Sequence, residues 1–282
     1  MDEARLKNQE AGPTAGPDFL CVGAQKAGTS WLYQQLSNHP DFWMPPRKEL
    51  HYLNARGHAP IKAREWNRDE RDVLFWEQLA HLGEKPQLDL PGYGRLFACK
   101  DSRLSGDITP AYCLLADKVI EEVMNCFPKL KVIFLARDPV ERAWSQLSLD
   151  VRNGRLSDFD PLNLAEVIGY LRQPVIAQRS SPSEITARWL RYVPADQFRV
   201  YFFDDLQSDP SELRRSILEF LGGDPKESSG AVAPNQNTKA MDMKLPLSDK
   251  VRDGLAEFFA GELKASATEL GGPATGWPDR YL

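Results

Sequence analysis

One local design occurs twice in this chain and constrains its fold more than anything else. FLCV at 19–22 runs into a glycine-bracketed loop and then a helical pattern at 29–38, and KVIFLA at 131–136 runs into RDPVERAWSQL. A short, unbroken apolar run bounded by turn residues reads as a strand covered on both faces, the situation of strands in a parallel sheet with crossover helices. In the second unit Asp138 suits the N-cap of the following helix, Pro139 its first turn, and Glu141 completes an approximate capping box. Further helices are expected at 116–127, ending before Pro128, at 183–192, at 209–221, stopped by Gly222 and Gly223, and at 247–270, with a strand at 198–203. The expectation is one α/β domain over 18–282 with a central, mainly parallel sheet flanked by helices. Residues 1–17, polar and punctuated by Gly and Pro, read as a flexible tail. About 54–104, irregular and with Trp66 and Trp76 in a charged helical stretch, reads as a substrate-side insertion or lid.

In open α/β sheets, ligands sit beyond the carboxyl ends of the strands. Gly23, Ala24, Gln25, Lys26, Ala27, Gly28, Thr29 and Ser30 occupy such a place. Amide N–H groups at a helix start, with the Thr29 and Ser30 hydroxyls, suit a phosphate or sulfate, and glycines permit close approach. The nucleotide-binding pattern G-x-x-x-x-G-K-[ST] puts its lysine after the second glycine; here Lys26 stands between Gly23 and Gly28. From there it reaches the bridging oxygen of a bound anhydride, where it neutralises a leaving group's charge. The same loop can also simply turn the chain.

Three other stretches carry chemistry. PPRKELHYL places Lys48, Glu49 and His51 together, and in an extended segment Glu49 and His51 project to one side. A carboxylate beside an imidazole is a natural general base with an orienting partner, and equally a solvated charge cluster. GDITPAY at 106–112 offers Asp107 and Thr109 to a pocket or to a turn. Arg137, at a strand end beside a helix start, and Ser145, two turns into that helix, suit a phosphate dianion; the bland alternative for Arg137 is a salt bridge to Asp138 or Glu141.

Composition narrows the function. A net charge of −5 argues against a general nucleic-acid binder. Cys21, Cys99, Cys113 and Cys126 lie in separate apolar segments without C-x-x-C spacing, so reduced, mostly buried thiols are expected rather than zinc or a disulfide framework. No run of about 18 apolar residues and no apolar leader core is present, which points to a cytoplasmic protein without an integral membrane segment.

Together, GAQKAGTSW, KELHYL, GDITPAY and FLARDPVERAWSQ resemble the sulfotransferase family that uses 3′-phosphoadenosine 5′-phosphosulfate (PAPS), most closely its bacterial and heparan-sulfate-type members. The likeness follows the motif order over about 18–221. It implies a P-loop-like fold, PAPS as co-substrate, 3′,5′-adenosine bisphosphate as product and no metal. It further implies that Gly23 to Ser30 hold the 5′-phosphosulfate with Lys26 assisting departure of the nucleotide, and that Trp31 stacks on adenine. Arg137 and Ser145 would hold the 3′-phosphate, and Glu49, with His51 beside it, would be the general base. The later 3′-phosphate loop is represented by candidates Asn237, Thr238 and Lys239. One departure stands out: Ile108 replaces a lysine usual in the heparan-sulfate type, which shifts the electrostatic burden to Lys26 and Lys48. Acceptors implied are a hydroxyl or amine of a carbohydrate, lipid or small metabolite; Tyr52, Trp66, Trp76 and Tyr112 are candidates for lining its pocket or for ordinary core. The rival readings are a P-loop kinase or ATPase and a non-catalytic nucleotide-binding protein.

Overall fold

The computed structural model of the protein describes residues 16–55, 69–83, 85, 87–228, 230, 233 and 245–281. Asn237, Thr238, Lys239, Trp66 and most of the expected N-terminal tail lie outside the described residues.

Four parallel strands form one sheet: β1 (Phe19–Gly23), β2 (Gly106–Ile108), β3 (Lys131–Ala136) and β4 (Phe198–Phe202), in the order β2-β1-β3-β4. All five residues of β1 are buried, as are five of the six in β3, which explains why both read as unbroken apolar runs. From β1 the chain moves to one side to lay down β2, then crosses back to place β3 on β1's other side. The carboxyl ends of β1 and β3 therefore flank the switch point, where an open α/β sheet forms its crevice.

The helices take the expected places with small shifts at their ends. The helix Asp117–Cys126 precedes β3, Pro139–Arg152 follows it, and Pro210–Leu221 ends at Gly222, whose φ of 98° is a left-handed geometry that glycine adopts without strain. Asp138 caps Pro139–Arg152 through Val140 N–H at 3.0 Å and Glu141 N–H at 3.4 Å. The reciprocal half of the expected capping box is replaced, because the Glu141 carboxylate accepts instead from Arg137. The expected helix over 247–270 is broken into Asp249–Phe258 and Ala260–Leu270, with the Phe258 and Phe259 rings in an edge-to-face pair at the break. Helices at Leu164–Leu171 and Pro174–Arg179 were not expected from the sequence.

Within 69–104 the helix Glu70–Gly83 sends Phe75, Leu79 and Leu82 into the main core, joined by Tyr93 and Phe97. Tyr52 and Tyr112 are also core residues, and Trp76 packs half-buried against the core, edge-to-face with Phe75. Cys21, Cys99 and Cys113 are free and buried, and Cys126 is free and half-buried. Among the described residues no helix is long and apolar enough to cross a membrane.

Candidate active site

The sequence folds its first anion signal into a loop joined to the central strands. The helix α1 (Thr29–Ser37) starts after Gly28, and no side chain caps it. First-turn N–H groups have no partner within their helix, so an uncapped start offers donors and a partial positive charge to an anion. Gly28 has φ 95°, and a Cβ there would lie 2.6 Å from Leu206 Cδ2, so both conformation and space favour glycine. The loop is fixed to β3 by Ala24 N–H donating to the Leu135 carbonyl at 2.8 Å. Ala27 and Thr29 are buried, while Gln25, Lys26 and Ser30 are half-buried. Trp31 turns into the core cluster and is 5% exposed.

Arg137 stands behind this loop. Its Nη1 donates to the Lys26 carbonyl at 2.7 Å, its Nη2 to Glu141 at 2.9 Å, and its guanidinium lies 4.2 Å from the centre of the Phe203 ring. Lys26 itself has φ 72°. A non-glycine residue holds that left-handed conformation only where its surroundings determine it, and the Arg137 fork grips the carbonyl. Arg137 is thus nearly fully buried, and that burial lowers its guanidinium pKa from the ordinary value. Its salt bridge to Glu141, the bland alternative, is present as well. Ser145 lies two turns into the same helix, buried at its start region together with Val140 and Trp144.

The Lys48–His51 segment crosses the carboxyl end of β2. Glu49 N–H donates to the Ile108 carbonyl at 3.1 Å, and Ile108 pairs with Cys21 of β1. Lys48 Nζ donates to Glu49 Oε1 at 2.5 Å, and His51 Nε2 lies 3.5 Å from Glu49 Oε2. Burial acts to raise the Glu49 pKa, but the hydrogen bond from His51 and the charge of Lys48 overcome it and hold the carboxyl at about 2. The same bond from Glu49 raises the His51 pKa against the opposing effect of its burial. The segment is not simply extended, since Glu49 and His51 have φ 65° and 59°. Glu49 and His51 nonetheless meet, through left-handed geometry rather than strand alternation.

Asp107 and Thr109 hold the turn rather than line a pocket, being 1% and 0% exposed. Sequence reasoning missed three supports of the site. Arg179 reaches the loop by donating from Nη1 to Gln25 Oε1 at 2.7 Å, Phe203 faces Arg137, and Tyr93 donates to Asp107. Only Phe203 had a local signal, at the carboxyl end of an expected strand; the other two come from helices whose sequence carries no motif.

The groups expected from the sequence therefore meet along one sheet edge: Lys48, Glu49 and His51 at β2, the Gly23–Ser30 loop at β1 and Arg137 at β3. Residues 17–227 match the sulfotransferase family, and the chain belongs to that family. It is 23% identical over 219 residues to heparan sulfate glucosamine 3-O-sulfotransferase 5 of Mus musculus, covering 75% of this chain and 55% of that protein. The chain thus spans about half the length of that curated relative, as it does for carbohydrate sulfotransferase 15 of the same species, where 54% is covered. Among solved structures, a sulfotransferase from Alicyclobacillus acidocaldarius superposes with a TM-score of 0.67 at 24% identity, over 93% of this chain and 99% of that one. Mouse sulfotransferase SULT7A1, solved in complex with PAP, superposes with a TM-score of 0.54 at 14% identity, over 94% and 89% of the two chains. These superpositions establish the shared fold.

Proposed function

We propose that this chain moves the sulfuryl group of PAPS to a hydroxyl or amine of a carbohydrate, lipid or small-metabolite acceptor, releasing 3′,5′-adenosine bisphosphate. The observation that carries the reading is that Lys26, Glu49 and Arg137 stand at the carboxyl ends of three adjacent strands, β1, β2 and β3. The loop fits a phosphosulfate because its helix start is uncapped, which leaves first-turn N–H groups to an anion. PAPS bound there supplies an activated sulfuryl group on a phosphoanhydride.

The residues divide the work by charge. Gly23 to Ser30 hold the 5′-phosphosulfate, Arg137 and Ser145 the 3′-phosphate, and Lys239 is a candidate for that same phosphate. Lys26 neutralises the oxygen that leaves with the nucleotide as the acceptor oxygen or nitrogen bonds to sulfur. Glu49 takes the acceptor's proton. Held against its burial at a pKa of about 2 by His51 and Lys48, its carboxylate is ionised at neutral pH and so free to accept. Lys48 and His51 orient the carboxylate from either oxygen. We place the chain in the cytoplasm, where thiols such as the buried, free Cys21, Cys99 and Cys113 persist.

Thermal shift separates this reading from its rivals. Adenosine 3′,5′-bisphosphate is expected to raise the Tm without added metal and to do so less in Arg137→Ala. Stabilisation by ATP with Mg²⁺ and none by the bisphosphate would instead support a kinase or ATPase.

A further inference from the structure

A fully buried carboxylate beneath the Glu49 segment has no part in the chemistry described so far. Asp107 lies in β2, and three hydroxyls donate to it: Thr109 to Oδ1 at 2.7 Å, Tyr112 to Oδ2 at 2.7 Å and Tyr93 to Oδ2 at 2.9 Å. A fourth donor is the backbone N–H of Leu50, the residue between Glu49 and His51. Tyr112 in turn accepts from the Leu53 N–H at 3.4 Å, and the ring of Tyr93 stacks on that of Tyr52 at 5.5 Å and 7°. Glu49 is pinned one residue further along β2 by its N–H to the Ile108 carbonyl. The segment over 49–53 is thus joined to β2 and its following turn at three points, Glu49, Leu50 and Leu53, and through Tyr52 to Tyr93, itself bonded to Asp107.

Such bracing fits what the backbone requires. Glu49 and His51 both occupy the left-handed region, which is strained for a non-glycine residue and persists only where surrounding contacts outweigh it. A carboxylate is well suited to the task, because its two oxygens accept several bonds at once and each is strengthened by the charge. Burial in turn raises the Asp107 pKa, opposed by the hydrogen bonds it receives.

We propose that Asp107 is a positioning residue that sets the backbone of Glu49 and His51, and so fixes where the general base meets the acceptor. The inference rests on the sulfotransferase reading for its kinetic consequence, but its structural consequence does not. Asp107 also acts on His51 by charge: the groups shifting His51 are Glu49 and Asn54 of its own segment and Asp107 from β2, and both carboxylates raise its pKa.

The test is Asp107→Asn, with Tyr93→Phe as a milder second variant that keeps the ring stack and removes one hydroxyl. His51 is followed by NMR titration, and kcat and KM for PAPS by steady-state kinetics. In Asp107→Asn the His51 titration is expected to move to lower pH and kcat to fall at least about tenfold, with KM for PAPS within about twofold of wild type. Tyr93→Phe is expected to shift both in the same direction by less, and it decides the matter if Asp107→Asn does not fold. Wild-type His51 titration in a folded variant overturns the proposal. A wild-type protein without sulfuryl transfer, in which Tyr93→Phe, with the Asp107 charge kept, still displaces the His51 titration, would remove the functional reading and leave the positioning role standing.

Discussion

The two halves of the site differ in how much regular structure holds them. The Gly23–Ser30 loop sits where a buried strand meets a helix start and is held by the β3 pairing, the Ala24 to Leu135 bond and the first turn of α1, with Arg137 on the Lys26 carbonyl and Arg179 on Gln25 added from side chains. The Lys48–His51 segment belongs to no strand or long helix. Besides one backbone bond from Glu49 to Ile108, it takes its shape from side chains, with Asp107, Tyr112 and Tyr93 bonded beneath it. An anion cradle needs fixed backbone N–H groups, which secondary structure supplies. A proton acceptor has to meet an acceptor molecule at one point in space, and that calls for a side chain placed by a dedicated network.

Each half can be broken separately, and the largest effects are expected at Lys26 and Glu49, the two groups proposed to act on the reacting atoms. Lys26→Ala is expected to lower turnover by about two or more orders of magnitude, as does removal of other groups that stabilise developing charge. Glu49→Gln is expected to fall in the same range. The Glu49→Gln variant is expected to bind adenosine 3′,5′-bisphosphate with wild-type affinity by calorimetry, since its effect is on proton transfer. Near-normal turnover in either would remove its assigned role.

Arg137→Lys is expected to weaken binding of adenosine 3′,5′-bisphosphate about tenfold by calorimetry. A lysine keeps the charge but cannot bond the Lys26 carbonyl and Glu141 together while lying on Phe203. Equal affinity would show that the planar fork contributes nothing to the cradle. Gly28→Ala comes next: φ of 95° and the close Leu206 carbon are expected to cost about 1–2 kcal/mol of stability in denaturant titration. The Lys48–His51 half should be unaffected by it.

The smallest expected effect is one of pH. The Glu49 carboxyl sits at about 2 against 4.5 for the ordinary group, so its stabilising contribution is present above about 4.5 and is lost as pH falls through about 2. His51, raised above 6.5, contributes below that value, and its contribution is lost as pH rises through the raised one. Both groups are partly exposed, which weakens the pair. His51→Asn should therefore lower the Tm slightly at about pH 5 and hardly at all at about pH 9, a difference that Glu49→Gln abolishes.

The contrast also governs what the sequence made legible. β1, β3 and the helices that follow them announce themselves through local pattern, and Asp138 was placed at its cap because Pro139 follows it. Lys48, Glu49 and His51 were legible as neighbours, but not their geometry, because a positive φ in Glu and His has no local signature. Asp107 was legible as a candidate for a pocket or a turn, but not as the buried acceptor of three hydroxyls. Its partner Tyr93 stands in a short helix, Leu90–Arg95, brought to β2 by tertiary packing. The break at Phe259 was hidden for a similar reason, since helical spacing continues across it in LAEFFAGEL and packing decides the angle.

The most direct measurement of the central claim is release of 3′,5′-adenosine bisphosphate from labelled PAPS, with transfer of the label to acceptors in a fractionated cell extract. Wild-type protein is expected to release the bisphosphate and label an acceptor in equal amounts, and Lys26→Ala and Glu49→Gln to do neither at a comparable rate. Label transfer that both variants carry out at the wild-type rate, or hydrolysis of ATP with no reaction of PAPS, would contradict the account.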